Sequence, residues 1–138
     1  MQTSDELIGT LALVHPQLPN DPAGKQGQVG IITDANLKNE TIEVRFGKNG
    51  KGIYGTDALL LLRPAEQLKR NLELHKQELN ESDYKTLFNI SLLQEFKQST
   101  ANIKSAMSLA LQSEAVRNLS MYTFEEALGL RRNQHLQR

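Results

Sequence analysis

The sequence predicts an α+β protein, in which a small antiparallel β-barrel is followed by helices. Between Gln26 and Leu62, glycines separate short segments of alternating apolar residues, a pattern typical of strands joined by tight turns. The composition changes near Pro64, because eight of the nine glycines precede it and apolar residues follow it at helical spacing. We therefore divide the chain into a five-stranded barrel at 1–63 and a three- or four-helix segment at 64–138.

Five segments of the N-terminal part have the pattern of strands. The third is the clearest, since Ile42, Val44 and Phe46 alternate with charged residues and are predicted to point inward. The Asn49-Gly50 pair after it predicts a type I′ turn, because both residues tolerate positive φ. The predicted strands are 8–14, 28–33, 41–46, 53–54 and 58–62.

The order of these segments resembles an SH3-like barrel over residues 8–62. A long loop is followed by Gly-Gln-Val-Gly-Ile-Ile at 27–32, a hairpin, a Gly-Ile-Tyr-Gly-Thr-Asp turn and a last apolar strand. The piece at 27–32 is also similar to the start of a KOW-type motif. The resemblance implies contact with nucleic acid or with ribosomal and transcription machinery if the barrel is KOW-type, and peptide binding if it is another SH3-like barrel.

Helical patterns begin at Pro64, which suits a first helical turn because its missing N–H is not needed there. Ser82 is predicted to cap a second helix, and a third is predicted over 100–119. Thr123, followed three residues later by Glu126, predicts a capping box for a final helix.

Apolar residues surround most of the second helix, so we expect it to be central or else covered by a partner. These residues are Tyr84, Leu87, Phe88, Ile90, Leu92, Leu93 and Phe96.

Composition argues against several classes of protein. The chain has 16 basic and 16 acidic residues, so it lacks the long-range field that attracts nucleic acid or anionic membranes. It has no cysteine, which excludes a disulfide scaffold, a cysteine zinc site and a thiol nucleophile. No apolar run reaches the roughly 18 residues of a membrane span, and the start of the chain does not resemble a signal peptide. We expect a soluble, cytoplasmic protein.

Catalytic motifs are not apparent, so we expect a protein that is not an enzyme and needs neither a cofactor nor a metal. His15, His75 and His135 are far apart in sequence, and none belongs to a metal-binding spacing. The glycines near the hairpin do not form a phosphate-binding loop, because no Gly-Lys-Ser or Gly-Lys-Thr follows them.

The candidate binding residues lie in the barrel. Lys38, Arg45, Lys48 and Lys51 are predicted to lie along one edge and tip, where they could contact phosphate, and Tyr54 is predicted to point outward. Arg131, Arg132 and Arg138 at the C-terminus offer a further phosphate contact. A nucleic-acid-associated factor is therefore the alternative function.

A binding or adaptor protein, acting through protein–protein interaction in a larger assembly, is the function we favour from the sequence. The helices would supply the interaction surface, to a protein partner or to a second copy. The barrel lacks the several exposed aromatic residues of a polyproline groove. The proline-rich loop 15–25 is either a recognition element or a rigid connection.

Overall fold

The computed structural model describes residues 7–96 and 99–129, so His135 and the three C-terminal arginines lie outside the described residues. The chain divides into two compact units, Met1–Leu61 with Thr123–Arg138, and Leu62–Tyr122. The first contains most of a β-sheet, and the second contains four helices. The α+β class is therefore confirmed.

Six strands form one antiparallel sheet in the order β4-β3-β2-β1-β5-β6. Their bounds are Leu11–Val14 (β1), Val29–Asn36 (β2), Thr41–Arg45 (β3), Lys51–Gly55 (β4), Leu59–Leu62 (β5) and Met121–Thr123 (β6).

The sheet is open and does not close into a barrel, so the predicted five-stranded barrel is not confirmed. All five predicted strands are present, but a sixth, β6, follows β5 in the sheet order. It occupies the side of β5 with which β4 would have to pair to close a five-stranded barrel. The strands β4 and β6 are consequently the two edges of the sheet.

Strand β3 confirms the predicted alternation. Ile42 and Val44 are fully buried and Phe46 is buried just after the strand, whereas Arg45 is exposed. On β2 the inward positions are Gly30 and Ile32. A Cβ atom on Gly30 would lie 2.5 Å from Val44 Cγ1 and 2.7 Å from the Arg45 carbonyl oxygen. The close approach of β2 and β3 therefore requires glycine.

The hairpin between β3 and β4 differs from the predicted type I′ turn. Residues Gly47–Asn49 form one turn of 3-10 helix, and the positive φ angles are at Gly47 (65°) and Gly50 (95°), with Asn49 in an ordinary conformation. The Phe46 N–H donates to the Gly50 carbonyl oxygen at 2.8 Å and closes the loop. This longer loop needs positive φ at Gly47 as well as at Gly50, and the Asn49-Gly50 pair alone did not indicate it.

The helices are Ala65–Leu74 (α1), Glu81–Glu95 (α2), Thr100–Leu109 (α3) and Glu114–Ser120 (α4), and residues 124–129 are also helical. Helix α2 is capped by Asn80, whose side chain accepts from the Asp83 N–H, and not by Ser82 as predicted. The predicted helix over 100–119 is interrupted, because the Ser113 side chain caps α4 by accepting from the Val116 N–H.

The predicted capping box at the start of the last helical segment is confirmed. The Thr123 N–H donates to Glu126 Oε1 at 2.8 Å, and the Glu126 N–H donates to Thr123 Oγ1 at 2.9 Å. The adjacent Glu125 N–H donates to the Thr56 carbonyl oxygen at 2.9 Å. The bond to Thr56 and the buried Phe124 attach the segment to the rest of the sheet unit.

Candidate functional site

Strand β4 has one edge paired with β3, and no strand within residues 7–96 or 99–129 pairs with its other edge. Antiparallel pairs alternate between residues that exchange hydrogen bonds and residues that do not. The bond from Phe46 to Gly50 places Gly52 and Tyr54 in the bonded pairs with β3. The N–H and C=O groups of Lys51 and Ile53 therefore point away from β3, along the outer edge of the sheet.

Two further bonds agree with this alternation. The Ile32 N–H donates to the Thr10 carbonyl oxygen at 2.9 Å. The backbone groups of Ile32 therefore point toward β1, and those of its neighbour Ile31 point toward β3. At the end of β4, the Gly55 carbonyl oxygen accepts from the Ala58 N–H at 3.1 Å. This bond is possible because the Gly55 carbonyl is not used in pairing with β3. The outer edge of β4 thus presents backbone groups from Lys51 and Ile53.

Three of the four predicted basic residues lie at one end of β3, and the fourth does not. Arg45 is directly opposite Lys51 in the register, and Lys48 lies in the loop that joins their strands. Lys38 lies in the turn at the other end of β3, about 14 Å away at the usual rise of a strand. The prediction that all four follow one edge is therefore wrong for Lys38.

A lysine that the sequence did not single out lies at this end of the sheet. The Lys25 ammonium is 5.7 Å from the centroid of the Phe46 ring, in a cation–π contact. Phe46 lies between Arg45 and the 3-10 turn. We define Lys25, Arg45, Lys48 and Lys51 as the basic cluster. The signal for Lys25 was its place in the proline-rich loop, but sequence separation concealed its position near the hairpin.

Glu43 partly neutralises the basic cluster. Its carboxylate accepts from Thr33 Oγ1 at 2.7 Å and forms an ion pair with Lys51 Nζ at 3.1 Å. The Thr33 hydrogen bond, followed by the Lys51 contacts, lowers the pKa of Glu43 below its usual value. Lys51 therefore has a partner on the same face of the sheet.

Tyr54 is buried, with 4% of its surface exposed, so the prediction that it points outward is wrong. Its hydroxyl donates to Asp21 Oδ2 at 3.0 Å, and its ring packs edge-on against Phe46 with centroids 6.4 Å apart. Burial and the Asp21 carboxylate raise the pKa of Tyr54. Alternation along β4 turns the neighbouring Ile53 outward instead, with 60% of its surface exposed. The buried Tyr54 ring therefore offers no platform for base stacking.

The proline-rich loop is organised around Asp21. Its carboxylate accepts from the Ala23 and Lys25 N–H groups, both at 2.9 Å, and from the Tyr54 hydroxyl. Burial alone would raise the pKa of Asp21, but these hydrogen bonds outweigh burial and lower it. This internal bonding favours the interpretation of the loop as a rigid connection.

Helix α2 presents an apolar stripe to solvent. Phe88 and Leu92 lie one turn apart on one face of α2, and Phe96, the residue that ends the helix as its C-cap, follows after the same four-residue spacing. The three side chains are 45%, 40% and 61% exposed, in that order. Leu87 and Ile90 are fully buried on the opposite side. We call the three exposed residues the α2 stripe. The sequence indicated it, because apolar residues around most of the helix predicted either a central position or a partner.

Charged residues lie at both ends of the α2 stripe. Lys85 Nζ and Glu81 form an ion pair at 3.2 Å one turn before Phe88, and Glu95 next to Phe96 pairs with Lys69. These ion pairs are solvent-exposed, so each adds little to stability. The middle of the stripe around Leu92 is apolar.

Within 7–96 and 99–129, no group of three or more His, Asp or Glu side chains could hold a metal ion. A cavity of about 30 Å³ in the sheet unit is lined by Thr56, Glu125 and Leu128 among others, a size suited to a water molecule or two. The buried Asp83 accepts from Gln112 Nε2 and Ser113 Oγ, which explains it structurally.

The helices in the described part of the chain are too short or too polar to cross a lipid bilayer. Comparison of the chain with protein-family models, with curated proteins and with solved structures finds no match in any of the three.

Proposed function

We propose that this protein is a non-enzymatic binding protein, which acts in a larger assembly through a protein–protein contact made by the α2 stripe. The observation that carries the proposal is the exposure of Phe88 and Leu92 on one face of α2 and of Phe96 at its C-cap. Isolated exposed apolar residues are common, but a contiguous row with two aromatic rings is typical of interaction sites. Covering such side chains contributes about 25 cal/mol for each Å² removed from water.

The charges around the stripe support a protein as the ligand. An apolar centre between ion-paired ends has the arrangement of a protein interface, in which a polar rim surrounds an apolar core. A helix-in-groove or helix-on-helix contact would use the four-residue spacing of the stripe directly.

A nucleic-acid-associated factor is the second candidate, and the basic cluster favours it. Lys25, Arg45 and Lys48 lie at one end of the sheet. Glu43 weakens this candidate through its ion pair with Lys51, and burial of Tyr54 removes the stacking platform. Phosphate binding would be measurable with a single-stranded oligonucleotide at about 50 mM salt and would weaken steeply as salt rises.

Two broader expectations belong to the same proposal. A relationship to SH3-like or KOW-type proteins is supported by the sequence pattern of residues 8–62 alone. A cytoplasmic location is supported by the absence of cysteine from the sequence.

Site-specific photocrosslinking tests the proposal. A benzophenone amino acid replaces Leu92 in the stripe or, as a matched control, the exposed Leu74 of α1. We expect crosslinks to a protein, either a second copy or another chain, from position 92 and none from position 74. Phe88→Ser with Phe96→Ser should abolish the crosslink while circular dichroism shows an intact fold.

Sedimentation velocity then separates the two kinds of partner. A second copy predicts a dimer whose fraction rises with concentration and falls in the Phe88→Ser, Phe96→Ser variant. Another chain predicts a monomer that crosslinks only in its presence. Equal crosslinking from positions 92 and 74, or none from either, overturns the proposed function.

A further inference from the structure

We propose that the outer edge of β4 binds an extended polypeptide segment with acidic side chains, which adds to the sheet as a further strand. This inference concerns the sheet unit and does not depend on the α2 stripe. It rests on three observations: the direction of the β4 backbone, the side chains beside that edge, and the charge around it.

The backbone supplies the hydrogen bonds. The N–H and C=O groups of Lys51 and Ile53 point along the outer edge, as the alternation of bonds with β3 requires. These residues are two apart, which is the spacing at which one antiparallel partner exchanges bonds with both. Strand addition uses such main-chain bonds for affinity and the neighbouring side chains for specificity.

The side chains favour a mixed apolar and acidic segment. Ile53 is exposed, and Lys51, which comes two residues earlier in β4, lies on the same face of the sheet. An added antiparallel strand places alternate residues beside these two. One position therefore meets an apolar side chain, and the next position on that face meets an ammonium group.

Charge selects among extended segments. Arg45, Lys48 and Lys51 lie at this end of the hairpin. Lys25 contacts the inward-facing ring of Phe46, and Glu43 is the acid paired with Lys51. A second copy of β4 is a poor occupant, because its sequence, Lys-Gly-Ile-Tyr-Gly, has no acidic residue. Lysines near an open edge also discourage pairing with uncharged strands. A nucleic acid would use the cations but not the alternating donors and acceptors.

The probe is the peptide acetyl-Thr-Val-Thr-Glu-Thr-Glu-Thr-amide. Paired antiparallel, it places its valine beside Ile53 and its first glutamate beside Lys51. Amide hydrogen exchange followed by NMR in the full chain gives the residue-level result. We expect exchange at Lys51 and Ile53 to slow on addition of peptide, whereas Gly52 and Tyr54 are already protected by β3.

A pair of substitutions at one position tests the backbone bond. Ile53→Pro removes the outward N–H while leaving the bonds to β3, because proline is tolerated at a strand edge. Ile53→Thr keeps the N–H and serves as its control. We expect the proline variant to weaken peptide binding about tenfold relative to the threonine variant, with both variants folded by circular dichroism.

Modified probes distinguish strand addition from charge attraction alone. A peptide with lysines for its glutamates should bind more weakly, and Lys48→Glu should weaken the acidic peptide about fivefold. Methylation of the two probe nitrogens that face β4 should abolish binding. Equal binding of acidic and basic peptides overturns the charge assignment. Equal binding of the methylated peptide, or protection at Lys51 and Ile53 by an oligonucleotide but not by peptide, overturns strand addition.

Failure here is distinguishable from failure of the proposed function. Leu92→Glu changes the α2 stripe and should leave peptide binding at β4 unchanged. If the proline variant does not fold, the methylated probe on the unmodified chain still decides whether the backbone bonds form.

Discussion

Helix α2 and strand β4 each have one side that is packed and one side that is not, but they expose different chemistry. In α2 the backbone groups bond within the helix, so only the side chains Phe88, Leu92 and Phe96 are left to attract a partner. In β4 the Lys51 and Ile53 backbone groups also point away from the packed strand β3. A partner of the helix would therefore be selected by apolar shape, whereas a partner of the strand would be selected by its extended conformation.

The largest expected effect separates the two sides of α2. Leu87→Ala removes a fully buried side chain and should lower the free energy of unfolding by about 3 kcal/mol. Leu92→Ala on the stripe should change it by about 0.5 kcal/mol or less. Urea denaturation followed by circular dichroism measures both. Similar losses for the two variants would mean that the stripe is packed within the chain.

The two sides of β4 allow the same comparison. A Cβ at Gly52 would lie 2.7 Å from atoms of the Tyr54 ring, which the Asp21 hydrogen bond holds in place. Gly52→Ala should therefore cost about 2 kcal/mol of stability, whereas Ile53→Ala on the exposed side should cost about 0.5 kcal/mol or less. An unchanged free energy of unfolding for Gly52→Ala in urea denaturation would show that the Tyr54 ring can move aside.

A smaller effect is expected at the link between β4 and the proline-rich loop. Tyr54→Phe removes the donor to Asp21 but keeps the ring, so we expect a loss of about 1 kcal/mol in the free energy of unfolding. Peptide binding at the β4 edge should not change, because the hydroxyl lies on the buried side. Loss of binding in this variant would connect the loop to the recognition surface.

The smallest effect concerns pH. Hydrogen bonds lower the pKa of Asp21 below its ordinary value of 3.8 in the folded state. Its ionised form therefore contributes stability above that pH, and the contribution is lost as pH falls through the lower folded pKa. In Asp21→Asn the urea midpoint should fall less between pH 5 and pH 2 than in the unmodified chain. If the urea midpoint of both proteins fell equally between pH 5 and pH 2, Asp21 would not contribute to the loss of stability in acid.

Local patterns explain which parts of the fold were predictable from the sequence. Alternation in β3 and the Thr123 capping box depend on neighbours in the chain, so their signals were sufficient. The open six-stranded sheet was not predictable in this way, because its second edge is β6, a strand of three residues far along the chain. Its sequence, Met-Tyr-Thr, is too short to show a period of two.

The candidate sites divide along the same line. The apolar positions around α2 predicted a helix that is central or else covered by a partner, and three of these side chains, the α2 stripe, are exposed in the structure. Tyr54 was predicted to point outward because the segment around Ile53 is too short to show which of its residues face the core. Lys38 was placed with the other cations because the sequence does not show that its turn and the β3–β4 loop lie at opposite ends of β3. Lys25 was missed because its neighbour Phe46 is 21 positions away in sequence.

The position of β6 in the sheet has a consequence for the order in which the chain acquires its structure. The strands β1 to β5 are contiguous in sequence, whereas residues 63–120 separate β5 from β6. During synthesis on a ribosome, β1 to β5 are made before α1 to α4, and the sheet lacks its last strand until those four helices have followed. Pairing across so large a sequence separation raises the contact order, and such non-local pairings form more slowly than local ones. Until then β5 is a temporary edge, exposed to the surrounding solution while the rest of the molecule is still being made.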